Sequence, residues 1–295
     1  MNGWLRLCDE MRGAPAVSVI IPTYQRASLV GNAVRSVLSQ SYTDLEVIVV
    51  DDGSTDETSG VLSRFGDSIR VVRQSNQGLS AARNAGIKAS VGRYVAFLDD
   101  DDEWMPDRLK VQVALLEADE QIGLAFADMD AYDETDRFLG HWFAYHTPPP
   151  LLSVETLFLY NYIPALTVIV RRSVLDDVGW FDTGLDSCED YDLWLRIIAR
   201  HTVFKCDERL ARYRQSATGM SRDTTRMLFG LVRVKEMALE RNPGVRRLPL
   251  KLLDRHCFQA FDQLAQYLAT HGDADQAAEV AQRQCRLRQL CAESF

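Results

Sequence analysis

Apolar and polar positions alternate at two different periods between Val17 and about Asp130. Short runs that are apolar at nearly every position predict strands, and segments whose apolar residues recur every three or four positions predict helices. The predicted strands are VSVIIP, LEVIVV, IRVVR and YVAFL, and the helices between them are SLVGNAVRSVLSQ, TDETSGVLSRF and LSAARNAGIKAS. This order is typical of βαβ units, so we expect an α/β fold with a mixed, mostly parallel sheet flanked by helices.

The pattern becomes less regular after residue 130. A helix DRLKVQVALLEAD and a strand IGLAFADMDAYD are followed by an irregular stretch around HTPPP, a helix near SVETLFLYN, a strand ALTVIVRR, a helix EDYDLWLRIIAR and a strand TVFKCDERLARYR. Three helical segments follow from Thr224, with a break at RNPG. We therefore expect an N-terminal extension over 1–16, one α/β domain over 17–222 with halves 17–130 and 131–222, and a C-terminal helical extension over 223–295.

Composition excludes several function classes. The chain has 295 residues, 46% of them hydrophobic, and a formal net charge of -9, so nucleic acid is not an expected partner. Six cysteines form no CxxC pair, which argues against zinc and disulfides and favours a reducing cytoplasm. The N-terminus lacks a signal-like apolar core, and the apolar stretch 151–170 contains Glu155, Asn161 and Pro164. These features predict a soluble cytoplasmic protein.

Four adjacent carboxylates, Asp99 to Asp102, directly follow the buried strand YVAFL. Like charges held close in a dry site repel one another by several kcal/mol unless a cation lies between them. Oxygen ligands select Mg²⁺ or Mn²⁺ and leave coordination positions for substrate phosphates. A solvated acidic turn is the alternative, which the position behind a core strand makes less favoured.

The first strand leads into PTYQRAS, which is not a glycine-rich phosphate loop. A phosphate-bearing ligand would therefore have to be bound by metal and side chains. Tyr24 offers a ring face for a nucleobase, and Asp51 or Asp52 in VVDDGS offers an acceptor for a ring N–H. Taken alone, DDGS is also a common Asx turn at the start of a helix.

Four blocks together carry a specific resemblance. VSVIIPTYQR, SVLSQSYTDLEVIVVDDGSTDET, NQGLSAARNAGIKASVGRYVAFLDDDDEWMPDRL and EDYDLWLR resemble family 2 glycosyltransferases of the GT-A fold, in the order and spacing of that family. The resemblance extends from about Val17 to Tyr213. It implies an enzyme that takes a sugar from a nucleoside diphosphate sugar, inverts the anomeric centre and requires Mn²⁺ or Mg²⁺, with residues 17–130 as the nucleotide-binding half and 131–222 as the acceptor half.

The resemblance also implies roles for individual residues in nucleotide binding. Pro22, Thr23 and Tyr24 would line the base pocket, and Asp52, with Asp51 beside it, would read the base. Arg83 in AARNAG would lie near the nucleotide, where a guanidinium suits phosphate or base edges. Gly78 in NQG would let the backbone pass close to the ligand.

The resemblance assigns metal binding to the acidic block and proton transfer to EDYDLWLR. The family pattern Asp-x-Asp-Asp falls on Asp99, Asp101 and Asp102, with Asp101 as the main metal ligand and Asp99 or Asp100 holding ribose or supporting the metal ligands. At the start of the helix EDYDLWLRIIAR, Asp190 would be the base that deprotonates the acceptor hydroxyl, with Glu189 as its neighbour or substitute. An acid at a helix N-terminus can also simply act as a cap.

Several alternatives stay open at this point. The chain reads YRQS where the family often has YRxH, so an extra metal or phosphate contact of the family is missing. It has no QxxRW element and no transmembrane pair of the kind found in processive synthases, so we expect transfer of a single sugar. A sugar-nucleotide nucleotidyltransferase and a catalytically silent nucleotide- or carbohydrate-binding module are the rival functions. The resemblance favours a uridine donor and a glycan or lipid-linked acceptor.

Contacts outside the site are less specific. The basic segment RRLPLKLLDRH allows peripheral contact with the inner face of a membrane, although a solvated helix face is favoured. The C-terminal helices allow a cap over the site or a homodimer. Trp104, Trp142 and Trp180 can each stack on a sugar, but half-buried packing is the favoured role for all three.

Overall fold

The computed structural model describes residues 13–216, 219 and 222–294. Most of the predicted N-terminal extension, residues 1–12, lies outside these described residues. Among the described residues, no helix has both the length and the apolar character needed to cross a bilayer.

One mixed sheet organises the described chain. Its strands are β1 (Val17–Thr23), β2 (Leu45–Asp51), β3 (Arg70–Arg73), β4 (Tyr94–Phe97), β5 (Glu103–Trp104), β6 (Ile122–Asp133), β7 (Phe138–His141), β8 (Ile169–Arg171) and β9 (Thr202–Gln215). They are arranged in the order β3-β2-β1-β4-β8-β6-β9-β5, with β7 paired to β6. Pairing is parallel from β3 to β4 and between β6 and β9, and antiparallel elsewhere, so the predicted mixed α/β sheet is confirmed.

Helices cover the sheet and continue beyond it. They are α1 (Val30–Leu38), α2 (Thr58–Ser63), α3 (Leu79–Ala89), α4 (Arg108–Ala118), α5 (Trp142–Tyr145), α6 (Val154–Leu159), α7 (Arg172–Val178), α8 (Glu189–Ile198), α9 (Thr224–Arg241), α10 (Pro243–Arg246), α11 (Leu250–Leu253), α12 (Gln259–Thr270) and α13 (Ala274–Ala292). A π-helical turn, Asp254–Phe258, joins α11 to α12. Most predicted helices and strands are present; many of the helices are shorter than the sequence pattern indicated, whereas β1, β2 and β9 each extend one residue further.

The central strands are buried as their composition requires. Every residue of β1 is buried, and β1 lies between β2 and β4 in parallel register, with Val19 opposite Val47 and Ala96. Burial on both faces explains the continuous apolar runs of these strands. The predicted apolar face of α1 is correct for Val30 to Val37, whereas Leu38 ends the helix and is 40% exposed.

The C-terminal helices share one hydrophobic core with the sheet. Apolar side chains of α9 and α12, including Leu239 and Phe261, belong to the same buried cluster as Ile20 and Phe97 of the central strands. Helix α9 packs against α8, and Lys235 of α9 donates a hydrogen bond to the Tyr191 hydroxyl of α8 at 2.9 Å. This packing fixes the start of α8, where the predicted base is located.

Candidate active site

A cavity of about 620 Å³ opens beyond the carboxyl ends of β1, β2 and β4. All of the predicted site residues except Asp51 line it: Pro22, Thr23, Tyr24, Asp52, Gly78, Arg83, Asp99, Asp100, Asp101, Asp102, Glu189 and Asp190. Parallel strands bring these residues together because their carboxyl ends meet at one edge of the sheet, and helix α8 adds the two acids from the second half of the domain.

Asp51 and Asp52 are adjacent in sequence but have different surroundings. The Asp51 carboxylate accepts a hydrogen bond from the Ser54 N–H at 2.8 Å and lies 3.5 Å from Arg73, away from the cavity. Asp51 therefore serves the turn, which was the alternative interpretation of DDGS. Asp52 lines the cavity and accepts hydrogen bonds from the N–H groups of Gln77 and Gly78 at 2.9 and 2.8 Å.

These bonds to Asp52 shape the entrance to helix α3. Gly78 has φ +87, a left-handed backbone conformation that favours glycine, and it directly precedes the first residue of the helix. On the other side of Asp52, the end of β1 presents Tyr24, which is 45% exposed. Its ring remains available to a flat ligand.

The four aspartates after β4 have a surplus of negative charge. Burial and repulsion from Asp101 and Asp99 raise the pKa of Asp100 to about 7. Burial and the negative charge of Asp99 raise the pKa of Asp101. Burial and the negative charges of Asp101 and Asp99 raise the pKa of Asp102 well above its usual range. A cation placed among them would relieve this repulsion.

Nearby side chains engage part of this cluster. Arg26 lies 4.0 Å from Asp100 and 3.9 Å from Asp101, too far for close ion pairs. Asp102 accepts a hydrogen bond from the Arg214 N–H at 2.8 Å, which ties the acidic turn to β9. Within residues 13–216, 219 and 222–294, no three His, Cys, Asp or Glu side chains form a ready-made metal site.

Arg83 connects the acidic cluster to helix α8. Its guanidinium is 2% exposed and donates to Asp99 at 2.7 Å and to Glu189 at 2.6 Å. Desolvation by burial opposes its charge, but the neighbouring carboxylates Asp99, Glu189 and Asp190 raise its pKa overall. Both terminal nitrogens bind carboxylates in this structure, so Arg83 links the two acidic groups and does not project a free fork into the cavity.

Asp190, in the first turn of α8, is an acidic group of the site separate from the four aspartates after β4. Burial and the adjacent Glu189 raise the pKa of Asp190 to about 7, whereas Arg83 opposes this shift. Glu189 is buried and paired with Arg83, whereas no arginine in the described part of the chain is bonded to Asp190. The Asp190 carboxylate accepts a hydrogen bond from the Tyr191 N–H at 2.7 Å. A carboxylate with a pKa near neutrality is suited to accept a proton.

Sequence reasoning missed several residues that line the cavity. Arg26 follows the predicted base pocket within PTYQR, and its sequence position beside Tyr24 was a usable signal. Trp142, for which half-buried packing was the favoured role, also lines the cavity, as do Asn161 and Arg226. They come from a short helix, a loop and the first turn of α9, where neither periodicity nor motif marks a functional position.

Comparison with known sequences identifies a family match. A family model described as Glycosyl transferase family 2 matches residues 18–179. The chain is 30–33% identical to five uncharacterized glycosyltransferases of Rickettsia species; the matches cover 61–68% of this chain but only 28–64% of theirs. It is also 32% identical to the UDP-Glc:alpha-D-GlcNAc-diphosphoundecaprenol beta-1,3-glucosyltransferase WfaP of Escherichia coli, with 62% of this chain and 70% of that one covered.

Comparison with solved structures confirms the fold. The S. aureus TarS 1–349 structure in complex with UDP-GlcNAc matches with a TM-score of 0.68 and 18% identity, covering 95% of this chain and 89% of that one. The mannosyltransferase PcManGT from Pyrobaculum calidifontis in complex with GDP-Man and Mn²⁺ matches with a TM-score of 0.62 and 18% identity, covering 94% and 79%. The predicted GT-A fold is therefore correct.

Proposed function

Because the chain belongs to glycosyl transferase family 2, we propose that it transfers a single sugar from a UDP-linked donor to an acceptor hydroxyl with inversion at the anomeric carbon. One observation carries the proposal: the acidic cluster after β4 and Asp190 of α8 line the same cavity. In an inverting transfer, the diphosphate leaves from one side of the sugar and the acceptor hydroxyl attacks from the opposite side. A single cavity with two acidic regions can hold both groups.

Asp190 is the proposed base. Inversion requires a carboxylate that takes the proton of the acceptor hydroxyl as the oxygen attacks the anomeric carbon from the face opposite the diphosphate. The raised pKa of Asp190, about 7, keeps a useful fraction ionised at neutral pH while making the carboxylate a better proton acceptor. Glu189 is proposed to position this group indirectly, since its own carboxylate is bonded to Arg83.

The acidic cluster is proposed to hold Mn²⁺ or Mg²⁺ with the donor. Its donors are carboxylate oxygens, which suit hard cations, and its excess negative charge favours a bound cation. We assign Asp101 and Asp99 as the protein ligands; the remaining positions would come from diphosphate oxygens and water. When bound, the cation supplies charge stabilisation to the departing diphosphate. Asp102, bonded to the Arg214 N–H, supports the turn that presents the other aspartates.

The nucleotide is proposed to lie between Tyr24 and Asp52. Tyr24 offers an exposed ring for stacking, and Asp52 lines the cavity at the entrance to α3. Pro22, Thr23, Gly78 and Asp100 also line the cavity. In this proposal the first two contact the base and the last two lie near the ribose. TarS has been crystallised with UDP-GlcNAc, which supports a uridine donor for this chain.

The acceptor is proposed to belong to cell-surface glycan synthesis, either a glycan or a lipid-linked sugar, with the enzyme in the cytoplasm at the inner face of the membrane. The WfaP relative is named for a diphosphoundecaprenol-linked acceptor. Exposed Arg247, Leu250 and Lys251 in this chain offer a basic and apolar contact with an anionic bilayer. A homodimer through α12 and α13 stays a prediction.

A donor screen tests this proposal. Purified protein would be incubated with UDP-, GDP- and dTDP-sugars, with Mn²⁺ or with EDTA, and slow release of the nucleoside diphosphate would be measured without acceptor. We expect release from one UDP-sugar only when Mn²⁺ or Mg²⁺ is present. Pyrophosphate release from a sugar phosphate plus UTP would favour the nucleotidyltransferase, and binding without any turnover would favour the silent module.

A further inference from the structure

One side of the cavity carries Trp142, and two further aromatic rings continue from it in a stack. Trp142 lines the cavity, and its ring centroid lies 4.1 Å from that of His146. His146 stacks in turn on Tyr160, with centroids 5.4 Å apart and ring planes inclined by 16°. The Tyr160 hydroxyl and His146 Nδ1 are also hydrogen-bonded. We refer to Trp142, His146 and Tyr160 as the aromatic wall.

The aromatic wall is fixed in place by the sheet. Helix α5, which carries Trp142, is held by a hydrogen bond of 2.8 Å from the Phe143 N–H to the Asp128 carboxylate of β6. The Phe143 ring packs edge-to-face on Phe126 of the same strand, with centroids 6.0 Å apart. A rigid aromatic surface loses little conformational entropy when a ligand binds to it.

The aromatic wall lies on the far side of the acidic cluster from the nucleotide end. In the sheet, β4 stands between β1 and β8, and β6 follows β8. Tyr24 and Asp52 come from the ends of β1 and β2, whereas Trp142 follows β7, which pairs with β6. A donor bound at the β1 and β2 side leaves this opposite side of the cavity for the acceptor.

The chemistry of these rings suits packing against a sugar. The Trp142 ring is uncharged and only half-buried, and burial lowers the pKa of the neighbouring His146, so its imidazole is neutral at neutral pH. An uncharged aromatic surface beside a cavity is unsuited to a diphosphate. It suits the C–H face of a pyranose, while the hydroxyls on the ring edge stay available to polar groups.

We propose that the aromatic wall is an acceptor subsite that stacks on a pyranose ring. This deepens the proposed function and rests on it, because it specifies that the acceptor hydroxyl belongs to a sugar. The neighbouring loop supplies Asn161, which also lines the cavity and can bond ring hydroxyls. Trp142 is the binding residue in this proposal, His146 and Tyr160 position its ring, and none of the three has a part in proton transfer.

Two wall variants and one matched control test the subsite. Trp142→Ala removes the cavity-lining ring, and Tyr160→Ala removes a ring of the stack that supports it. Phe204→Ala removes a ring of exposure similar to that of Tyr160, 38% against 39%, near the start of β9, far along the strand from its cavity-lining residue Tyr213. The probes are the methyl pyranosides of glucose, galactose and N-acetylglucosamine, measured by saturation-transfer NMR with UDP and Mn²⁺ present.

We expect at least one pyranoside to bind the wild type and to bind each wall variant about fivefold more weakly, as aromatic contacts of this kind typically contribute. Binding to Phe204→Ala and the UDP affinity of all variants should be unchanged. Once the natural acceptor is known, its KM should rise in the wall variants with little change in kcat.

Three results would overturn the subsite. These are equal pyranoside binding by wild type and wall variants, no pyranoside binding by the wild type, or binding of octyl glycosides that depends on the alkyl chain and not on the sugar. The wild-type release of UDP from its donor is measured in parallel. Its presence together with any of these results removes only the subsite, whereas its absence removes the proposed function and the subsite with it.

Discussion

The buried guanidinium of Arg83 lies 2.6 Å from the Glu189 carboxylate, which directly precedes Asp190. The same guanidinium bonds the Asp99 carboxylate at 2.7 Å. The Arg83 side chain therefore connects the carboxylates assigned to the metal with those assigned to proton transfer. Its positive charge also lowers the pKa of Asp190 against the effects of burial and Glu189. Arg83 is therefore a positioning residue for both halves of the site.

Replacing Arg83 with methionine tests this connection. The buried Glu189 carboxylate and the partly exposed Asp99 carboxylate lose their partner, so the free energy of unfolding should fall by about 3 kcal/mol, measured by urea denaturation. The pKa of Asp190 should rise further, and the pH at half-maximal transfer should therefore move upward. Arg93→Met is the matched control because Arg93 pairs with Glu117 at 2.7 Å on the surface. A variant with an unmoved pH profile would contradict the assigned role.

Asp190→Asn should remove transfer while leaving donor binding intact. A positioned base usually contributes about 10²–10⁴-fold to the rate, and asparagine cannot accept the proton. Transfer rate with the acceptor and UDP affinity by calorimetry would be measured for this variant and for Asp176→Asn, an exposed acid on α7. Near-normal transfer by Asp190→Asn would show that another group is the base.

The transfer rate should fall at acid pH with a midpoint near 7. Asp190 must be ionised to act, and burial with the Glu189 charge raises its pKa to about 7, so the ionised fraction drops about tenfold per pH unit below that value. Above it, kcat/KM should reach a plateau. UDP affinity over the same pH range is the control, since it separates loss of the base from loss of donor binding. A midpoint near 4 would mean that the proton acceptor is an unperturbed carboxylate.

The sheet could be predicted because its central strands are apolar on both faces. Once β1, β2 and β4 are recognised as parallel neighbours, their polar ends must meet, and this places Tyr24, Asp52 and Asp99 in one cavity. The pattern of apolar and polar positions could not decide whether Asp51 or Asp52 lines the cavity. Successive strand residues point in opposite directions, and a shift of one position decides which carboxylate joins the turn and which lines the cavity.

Long-range contacts explain what the sequence did not indicate. Arg83 meets its partners across 16 and 106 residues of chain, so no local spacing reveals that both of its amino groups are engaged. Helix α5 is four residues long, and its position depends on Asp128 of a separate strand. The cavity-lining position of Trp142 was therefore not predictable from periodicity, and packing was the favoured interpretation.

Asp101→Asn should abolish the effect of Mn²⁺ on donor affinity. The wild type is expected to bind UDP at least tenfold more tightly with Mn²⁺ than with EDTA, because the cation joins the carboxylate to the diphosphate. Loss of one carboxylate ligand should remove most of that difference. Asp107→Asn, an exposed acid just before α4, is the control. If Asp101→Asn kept the full metal effect, the cation would have to be bound by other groups.

Lys235 should make stability depend on alkaline pH. Its ammonium is buried between the Phe158 carbonyl and the Tyr191 hydroxyl, without a carboxylate partner among the described residues, and burial lowers its pKa from 10.5 to about 8. The unfolded chain therefore holds this proton more tightly than the folded one. Between pH 8 and 10.5 the free energy of unfolding should rise by about 3 kcal/mol from this residue alone.

Lys235→Met isolates that contribution, because it keeps an unbranched side chain and removes the titrating group. Urea denaturation of wild type and variant at several pH values between 7 and 11 would be followed by circular dichroism. The difference in free energy of unfolding, wild type minus variant, should increase with pH, since tyrosines and cysteines away from Lys235 titrate alike in both proteins. Lys110→Met, at an exposed position of α4, should show the same pH dependence of the free energy of unfolding as the wild type. A constant difference for Lys235→Met would mean that Lys235 titrates equally in the folded and unfolded chains.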